Sequence, residues 1–228
     1  NDQLSNAILE EMSDQIVKRG PDSAGIWLDS SSKIALGHRR LAVVDLSPAG
    51  YQPMTSGSNR YVMTYNGEIY NSNEIRNELI KSRVTLNWRG HSDTETLLAG
   101  FDAWGIKETV SRVTGMFAIA VWDKELEQLT LIRDRLGEKP LYYGWQGSGS
   151  NKVFLFGSEL KALKKHPQFI NDIDRGSLAL YMRYCYVPAP HSIYKGIMKV
   201  EPGTIVTVTL QESEHTTEKY WNALDVVR

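Results

Sequence analysis

The sequence predicts an α+β fold, and three observations carry that expectation. Short runs rich in β-branched and aromatic residues recur at 23–28, 34–39, 61–65, 117–122, 129–133, 141–145 and 153–156, with the length and composition of strands. Several follow one another across short turns, as antiparallel hairpins do. Helical periodicity is confined to segments between groups of strands, which favours antiparallel layers with helices over an alternating parallel sheet.

The elements can be justified in chain order. Leu4, Ile8, Met12 and Ile16 recur every four residues, an amphipathic helix that Gly20-Pro21 terminates. The strand 61–65 runs into Asn66-Gly67-Glu68-Ile69-Tyr70-Asn71, which reads as a backbone turn. Ser72 or Asn73 then caps a helix through Ile75, Leu79 and Ile80, and Ser92 or Asp93 caps another through Leu97, Leu98 and Phe101. Residues 146–151 read as a flexible turn between two strands; no helix with Lys-Ser or Lys-Thr follows, so its glycines do not make a phosphate loop. Leu178, Leu180, Tyr181, Tyr184 and Cys185 sit at helical spacings, which predicts a buried thiol behaving as a small hydrophobe.

Composition bounds the function classes. At 228 residues, 41% hydrophobic and 23% charged, the chain can bury a sizeable core. A formal charge of −1, with Lys and Arg spread along the chain, offers no basic field for nucleic acid. The single cysteine cannot form an internal disulfide, the five histidines are scattered without metal-ligand spacing, and no run of membrane-spanning length is present. The expectation is a cytosolic protein with no metal site, no nucleic acid and no membrane among its partners.

Chemistry gathers in three stretches. Asn66 and Gly67 can direct a side-chain amide and a backbone N–H at one developing oxyanion, although an Asn-Gly pair by itself is first of all a hairpin turn. Arg40, in His38-Arg39-Arg40-Leu41-Ala42-Val43-Val44-Asp45, offers a planar fork for a carboxylate; a surface ion pair with Asp45 or another acid is its bland alternative, and Arg39 should point to the opposite face. Glu68 and Asp93 offer acceptors for an ammonium, against the ordinary roles of a solvated glutamate and a helix-capping aspartate. Together these groups suit the head group of an α-amino acid.

With Arg19-Gly20-Pro21-Asp22 upstream, His91-Ser92-Asp93-Thr94-Glu95, Gly115-Met116-Phe117-Ala118, the run Arg133 to Tyr143 and Gly157-Ser158-Glu159-Leu160-Lys161-Ala162-Leu163 downstream, the set resembles the class II glutamine amidotransferase domain, more narrowly the glutaminase half of the glutamine-dependent asparagine synthetases. The resemblance spans nearly the whole chain. It implies the N-terminal-nucleophile hydrolase fold, a four-layer αββα sandwich of two antiparallel sheets covered by helices. It also implies that Asn66 and Gly67 form the oxyanion hole, that Arg40, Glu68 and Asp93 hold the substrate's carboxylate and ammonium, and that Val43 and Val44 contribute backbone groups beside it. Arg19 and Asp22 read as structural holders of their turn. The charged run 133–139 reads as a solvated loop with internal ion pairs, which the resemblance turns toward a partner domain.

One departure is large. The family's nucleophile is an amino-terminal cysteine whose own α-amino group acts as base, whereas this sequence begins Asn1-Asp2-Gln3. Either the nucleophile is lost or a first strand precedes the sequence. The second account is favoured, because the sequence opens directly on the amphipathic helix and lacks an initiating methionine; the preceding piece is then a strand and its connection, roughly 10–20 residues. The domain expected is 1–210, lacking its first strand, with 211–228 a linker toward an ATP-dependent synthetase domain.

The resemblance thus implies hydrolysis of glutamine, with no cofactor in this domain, ATP and Mg in the synthetase domain, and ammonia passed to aspartate. Its expected partners are glutamine and the C-terminal synthetase domain, and it leaves room for a homodimer. Two alternatives stand beside it: an amidotransferase of cell-surface polysaccharide biosynthesis, and a catalytically silent glutamine-binding module.

Overall fold

A computed structural model describes residues 2–43, 45–82, 87–209 and 215–226. Its centre is β5 (Gly115–Asp123), whose side chains are buried on both faces because the strand is apolar at consecutive positions. Phe117, Ile119 and Val121 enter one core, while Ala118, Ala120 and Trp122 enter another. Around it lies a six-stranded antiparallel sheet, ordered β11 (His215–Lys219), β10 (Thr204–Thr209), β6 (Gln128–Arg133), β5, β4 (Tyr61–Ile69) and β3 (Met54–Thr55). The edge strand β11 and the partly buried Tyr220 behind it fall within the stretch read from sequence as a linker.

One face of this sheet is covered by α2 (Ser72–Lys81), α3 (Asp93–Trp104) and α4 (Ile106–Arg112), through Ile75, Leu79, Leu97, Leu98, Phe101 and Val110. Ser92 caps α3 by accepting from the Glu95 N–H at 3.2 Å, a contribution of about 1 kcal/mol. Gly105, at φ +80°, closes the helix with its N–H on the Phe101 carbonyl at 3.0 Å. At α2, Asn71 rather than Ser72 or Asn73 occupies the N-cap, with no side-chain cap bond; its Oδ1 is instead taken by the Thr114 N–H at 2.8 Å.

The other face meets a second β layer made of the hairpin β1 (Ser23–Asp29) with β2 (Ile34–Arg40), and of β8 (Val153–Gly157), β7 (Tyr142–Gln146) and β9 (Met198–Lys199) in that order. Trp27, Leu36, Tyr143, Trp145 and Phe154 pack there against Trp122, Leu131 and Val206. Beyond this layer, α1 (Asp2–Asp14) and α5 (Leu160–Leu163) bury Met12 and Leu163 with Leu155. The order of layers is therefore helix, sheet, sheet, helix. A sixth helix, α6 (Arg175–Tyr184), and the short α7 (Ala223–Val226) lie outside that stack.

Three sequence expectations are corrected. Asn66-Gly67 is no turn: β4 continues through Ile69, with Asn66 opposite Ala118 and Gly67 opposite Phe117. The ladder with β5 overrides the local turn preference of Asn-Gly. Cys185 is exposed, at the left-handed C-cap of α6 with φ +61°, because only Ser177 of that helix is buried. The run 133–139 is not a solvated loop. Asp134 is 1% exposed and accepts from the N–H groups of Phe117, Leu136, Glu138 and Lys139, and Arg133 donates to the carbonyls of Lys139, Val200 and Gly137.

Candidate active site

A cavity of about 850 Å³ opens between the two β layers. Residues of β2 and β8 line it, and each of these strands pairs on one side only among the described residues. Arg40, Val43, Asn66, Gly67, Glu68 and Asp93 all contribute to its wall, so the fold brings together residues that lie up to 53 positions apart, from Arg40 to Asp93. Val44 lies outside the described residues.

Backbone alternation along β4 decides what Gly67 presents. The N–H groups of Tyr70 and Ile69 go to opposite sides, to the Thr114 carbonyl at 2.8 Å and to Asp93 Oδ2 at 3.0 Å. The Tyr65 N–H goes to Gln52 Oε1 at 2.6 Å, on the same side as that of Ile69. Two-residue periodicity therefore aims the Gly67 N–H at that edge, between Gln52 and Asp93, and it has no acceptor there among the described residues. Beside it, Asn66 Nδ2 is shielded from solvent and has no hydrogen-bond partner among the described residues. Buried donors are ordinarily paired, at a cost of about 1–3 kcal/mol when they are not.

Gly67 itself answers to packing. A Cβ there would meet the Met116 carbonyl oxygen at 2.2 Å and the Phe117 Cα at 2.7 Å, both backbone of β5. We expect Gly67→Ala to force β4 from β5 and destabilise the fold by about 3 kcal/mol; a melting temperature within about 2 °C of the parent, less than a loss of that size produces, would refute the close-approach argument.

Asp93 is 6% exposed and fully engaged. Oδ2 accepts from the Tyr65 hydroxyl at 2.6 Å and from the Ile69 N–H, and Oδ1 accepts from the Thr94 N–H at 2.9 Å. Burial first, and the Asp93 charge second, push the Tyr65 phenol well above its ordinary range, so it stays a donor. Asp93 is the first residue of α3 and Ser92 is the cap, so the carboxylate is held where the helix N-terminus stabilises it. Glu68, by contrast, is exposed.

Arg40 and Arg39 both reach the cavity wall, contrary to the simple alternation expected of a regular strand. Arg39 pairs with Asp14 of α1. Arg40 is 7% exposed and donates to the backbone carbonyls of Asp45 and Ser47, with the Tyr51 ring 5.3 Å from its guanidinium. Two carbonyls leave donors of the five-donor fork for another acceptor. Asp22 accepts from the Ala42 N–H at 2.8 Å and Arg19 pairs with Glu159 at 3.1 Å, so both tie down the chain around the cavity.

Sequence reasoning passed over Gln52 and Tyr65, and gave Asp45 only as an ion-pair partner for Arg40, which instead takes the Asp45 backbone carbonyl. Tyr65 was legible only as a strand residue, and Gln52 had no signal beyond its polarity; their roles depend on the β4 edge meeting α3 in space.

His38, on β2 in the same wall, carries a pKa lowered to about 4 from 6.5, by burial first and by the Arg40 charge second. The fold holds the neutral ring. Stability from this group is therefore full above pH 6.5 and is lost as pH falls from 6.5 toward 4, where the unfolded chain takes up a proton that the folded chain refuses. The loss approaches about 3 kcal/mol. We expect His38→Gln to flatten the stability profile in that window; an unchanged slope by denaturant titration at several pH values would refute it.

Among the described residues, no group of three or more His, Cys, Asp or Glu gathers as a metal site, and no helix is long and apolar enough to cross a membrane.

Two paired antiparallel layers between helices, with a cavity opening between them, are the four-layer arrangement of the N-terminal-nucleophile hydrolase fold. Solved structures agree: a glutamine phosphoribosylpyrophosphate amidotransferase from Bacillus subtilis superposes at TM-score 0.56 with 19% identity, over 83% of this chain and 35% of that one. An allosteric regulatory enzyme of purine biosynthesis does so at TM-score 0.57 with 20% identity, over the same shares of the two chains. The chain belongs to the glutamine amidotransferase domain family, whose signature matches residues 1–221. Among curated relatives, the glutamine-hydrolysing asparagine synthetases 3 and 1 of Bacillus subtilis are each 37% identical, over 94% and 95% of this chain. The chain spans about a third of their length, 33% and 32%.

Proposed function

We propose that this chain is the glutaminase unit of a glutamine-dependent amidotransferase, releasing ammonia from glutamine for ATP-dependent amidation of aspartate, as in the asparagine synthetases it resembles. The observation that carries the reading is the pair of unpartnered donors, Asn66 Nδ2 and the Gly67 N–H, in one cavity wall with Arg40 and Asp93. A donor kept unpaired in the ground state is available to an oxyanion that forms only in the transition state.

In this reading the nucleophile is a cysteine on a strand that precedes α1 and enters the cavity between β2 and β8. The one-sided pairing of both strands supports that seat, since an edge in a buried layer has N–H and C=O groups for an incoming strand. The thiol, activated by its own α-amine, adds to the amide carbon. Asn66 and Gly67 stabilise the oxyanion. Ammonia leaves as the C–N bond breaks, and water hydrolyses the γ-glutamyl thioester to glutamate. Arg40 holds the substrate carboxylate, Asp93 and Glu68 meet the ammonium, and Val43 borders the head group. Because both Asp93 oxygens are already engaged, that carboxylate acts through its field and by orienting its neighbours, and the exposed Glu68 is the freer acceptor.

ATP and Mg bind in a further, C-terminal synthetase domain of the same polypeptide, and the protein works in the cytoplasm. The glutaminase unit includes β11 of the central sheet, beyond the 1–210 expected from sequence, and the residues after it lead to that domain. The test is glutamate release from glutamine by the natural full-length protein, with its amino-terminal residue determined. A terminal cysteine whose change to alanine abolishes release supports the reading. Any other terminus with no release sinks it in favour of a silent glutamine-binding module, and release with an acceptor other than aspartate moves the chain to the polysaccharide-type amidotransferases.

A further inference from the structure

Arg40 and Asp93 come from separate elements, β2 and α3, and a side chain outside the proposed substrate contacts joins them. Asp45 accepts the Ser47 N–H on Oδ1 at 2.8 Å and the His91 N–H on Oδ2 at 3.0 Å. On the first side, the carbonyls of Asp45 and Ser47 hold the Arg40 guanidinium. On the second, the 89–91 turn is fixed to α3, because Glu95 accepts the Arg89 N–H at 2.7 Å and the Gly90 N–H at 3.0 Å. Arg76 donates to the Gly90 carbonyl at 2.8 Å from the other direction. Glu95 is two residues from Asp93 on the same buried first turn.

Two glycines show how closely these segments fit. A Cβ on Gly90 would stand 2.4 Å from Asp45 Oδ2, and a Cβ on Gly50 would stand 2.2 Å from Arg40 Nη2. Both positions need the missing side chain for the carboxylate and the guanidinium to lie where they do.

We infer that Asp45 is a positioning residue that sets the distance between the carboxylate-holding and ammonium-holding halves of the site, and so determines selectivity for an intact α-amino acid head group. The inference rests on the glutaminase reading above. Without the carboxylate, the 45–47 segment and its grip on Arg40 are released from the 90–91 turn, while Asn66 and Gly67 on β4 stay in place. The defect therefore falls on recognition of the head group rather than on the chemical step.

The experiment compares Asp45→Ala, Asp45→Asn and Arg40→Ala in the full-length enzyme, with glutamine and with 4-aminobutanamide, which lacks the α-carboxylate. For Asp45→Ala the expected result is a KM for glutamine about 10- to 30-fold higher with kcat within about threefold, and a matching loss of preference over 4-aminobutanamide. Asp45→Asn keeps one acceptor and turns an NH2 toward the other donor, so its KM should fall between parent and Asp45→Ala; it also serves if the alanine variant does not fold. A merely structural role would lower the melting temperature or kcat and leave the preference intact, and that outcome overturns the inference. If Arg40→Ala raises the glutamine KM and neither Asp45 variant does, the inference alone fails. If Arg40→Ala leaves KM unchanged, the glutaminase reading of the head-group site fails and takes the inference with it.

Discussion

Replacing Asn66 by alanine in the full-length protein is expected to lower kcat for glutamine hydrolysis by about 10² to 10³-fold, with KM changed little. The direction follows from geometry. Asn66 Nδ2 is shielded from water and unpaired among the described residues, one position before Gly67, whose N–H points to the edge of β4 away from β5. Such a donor contributes little to the ground state and about 3–4 kcal/mol to a transition state that places an oxyanion in reach. Folding stability should move the other way or not at all, since the change removes a buried polar group that the fold leaves unsatisfied. Loss of activity without loss of melting temperature separates this role from a structural one. A kcat within about tenfold of the parent would sink the oxyanion assignment.

The largest effect on stability is expected at Asp134. Its carboxylate takes four backbone N–H groups, those of Phe117 and Lys139 on Oδ2 at 3.2 and 2.9 Å, and those of Leu136 and Glu138 on Oδ1 at 3.1 and 2.9 Å. The Asp134 N–H also bonds the Phe117 carbonyl, and its own carbonyl accepts from Gly137 and Gly203. Asp134→Ala leaves those donors without an acceptor in a site that is 1% exposed. Each unsatisfied buried donor costs about 1–3 kcal/mol, and relaxation and entering water make the sum sub-additive, for a total of about 4 kcal/mol. At about 2–4 °C per kcal/mol for a chain of this size, the melting temperature should drop by about 8–16 °C. Asp134→Asn keeps the volume but faces an NH2 against N–H donors, so it should recover less than half of the loss. A drop under about 3 °C for the alanine variant would show that the 133–139 segment is held by other contacts.

Asp134 also shows where reading a sequence stops. Arg133-Asp134-Arg135-Leu136-Gly137-Glu138-Lys139 has the composition of a surface ion-pair loop. It is instead a turn organised around a buried carboxylate, because β5, β6 and the segment before β10 converge there. Charge in a sequence says that a group must be solvated or paired, not which of the two the fold supplies. Asn66-Gly67 failed for a related reason. The dipeptide favours a turn locally, but the β5 backbone offers it a ladder, and Gly67 is the residue that lets Met116 come close. Cys185 failed because helical spacing indicates which side chains share a face and not whether anything packs against that face.

Much was legible. The strands read at 23–28, 34–39, 117–122 and 129–133 appear as Ser23–Asp29, Ile34–Arg40, Gly115–Asp123 and Gln128–Arg133, since alternation of β-branched and aromatic side chains is a strong local signal. The α3 start was marked by the polar pair Ser92-Asp93 before an apolar run, and Ser92 is the one that caps it, accepting from the Glu95 N–H. The order of motifs around Arg40, Asn66 and Asp93 carried the family. β11 went unread because a polar edge strand lacks the apolar contrast on which such readings depend, whereas β10 carried the same β-branched signal as the other strands and was missed.

By itself, then, the sequence determined the α+β class, the family, and the set of groups able to meet an amino acid, since each is written in residue type, spacing and order. Tertiary structure alone decided that Asn66 Nδ2 and the Gly67 N–H are left unpaired, that Asp93 is locked by Tyr65 and Ile69, and that Asp45 joins the loop holding Arg40 to the turn above α3. The physical reason is common to all three. Whether a donor or acceptor is satisfied depends on which distant backbone the layers bring within about 3 Å of it, and local sequence holds no record of that distance.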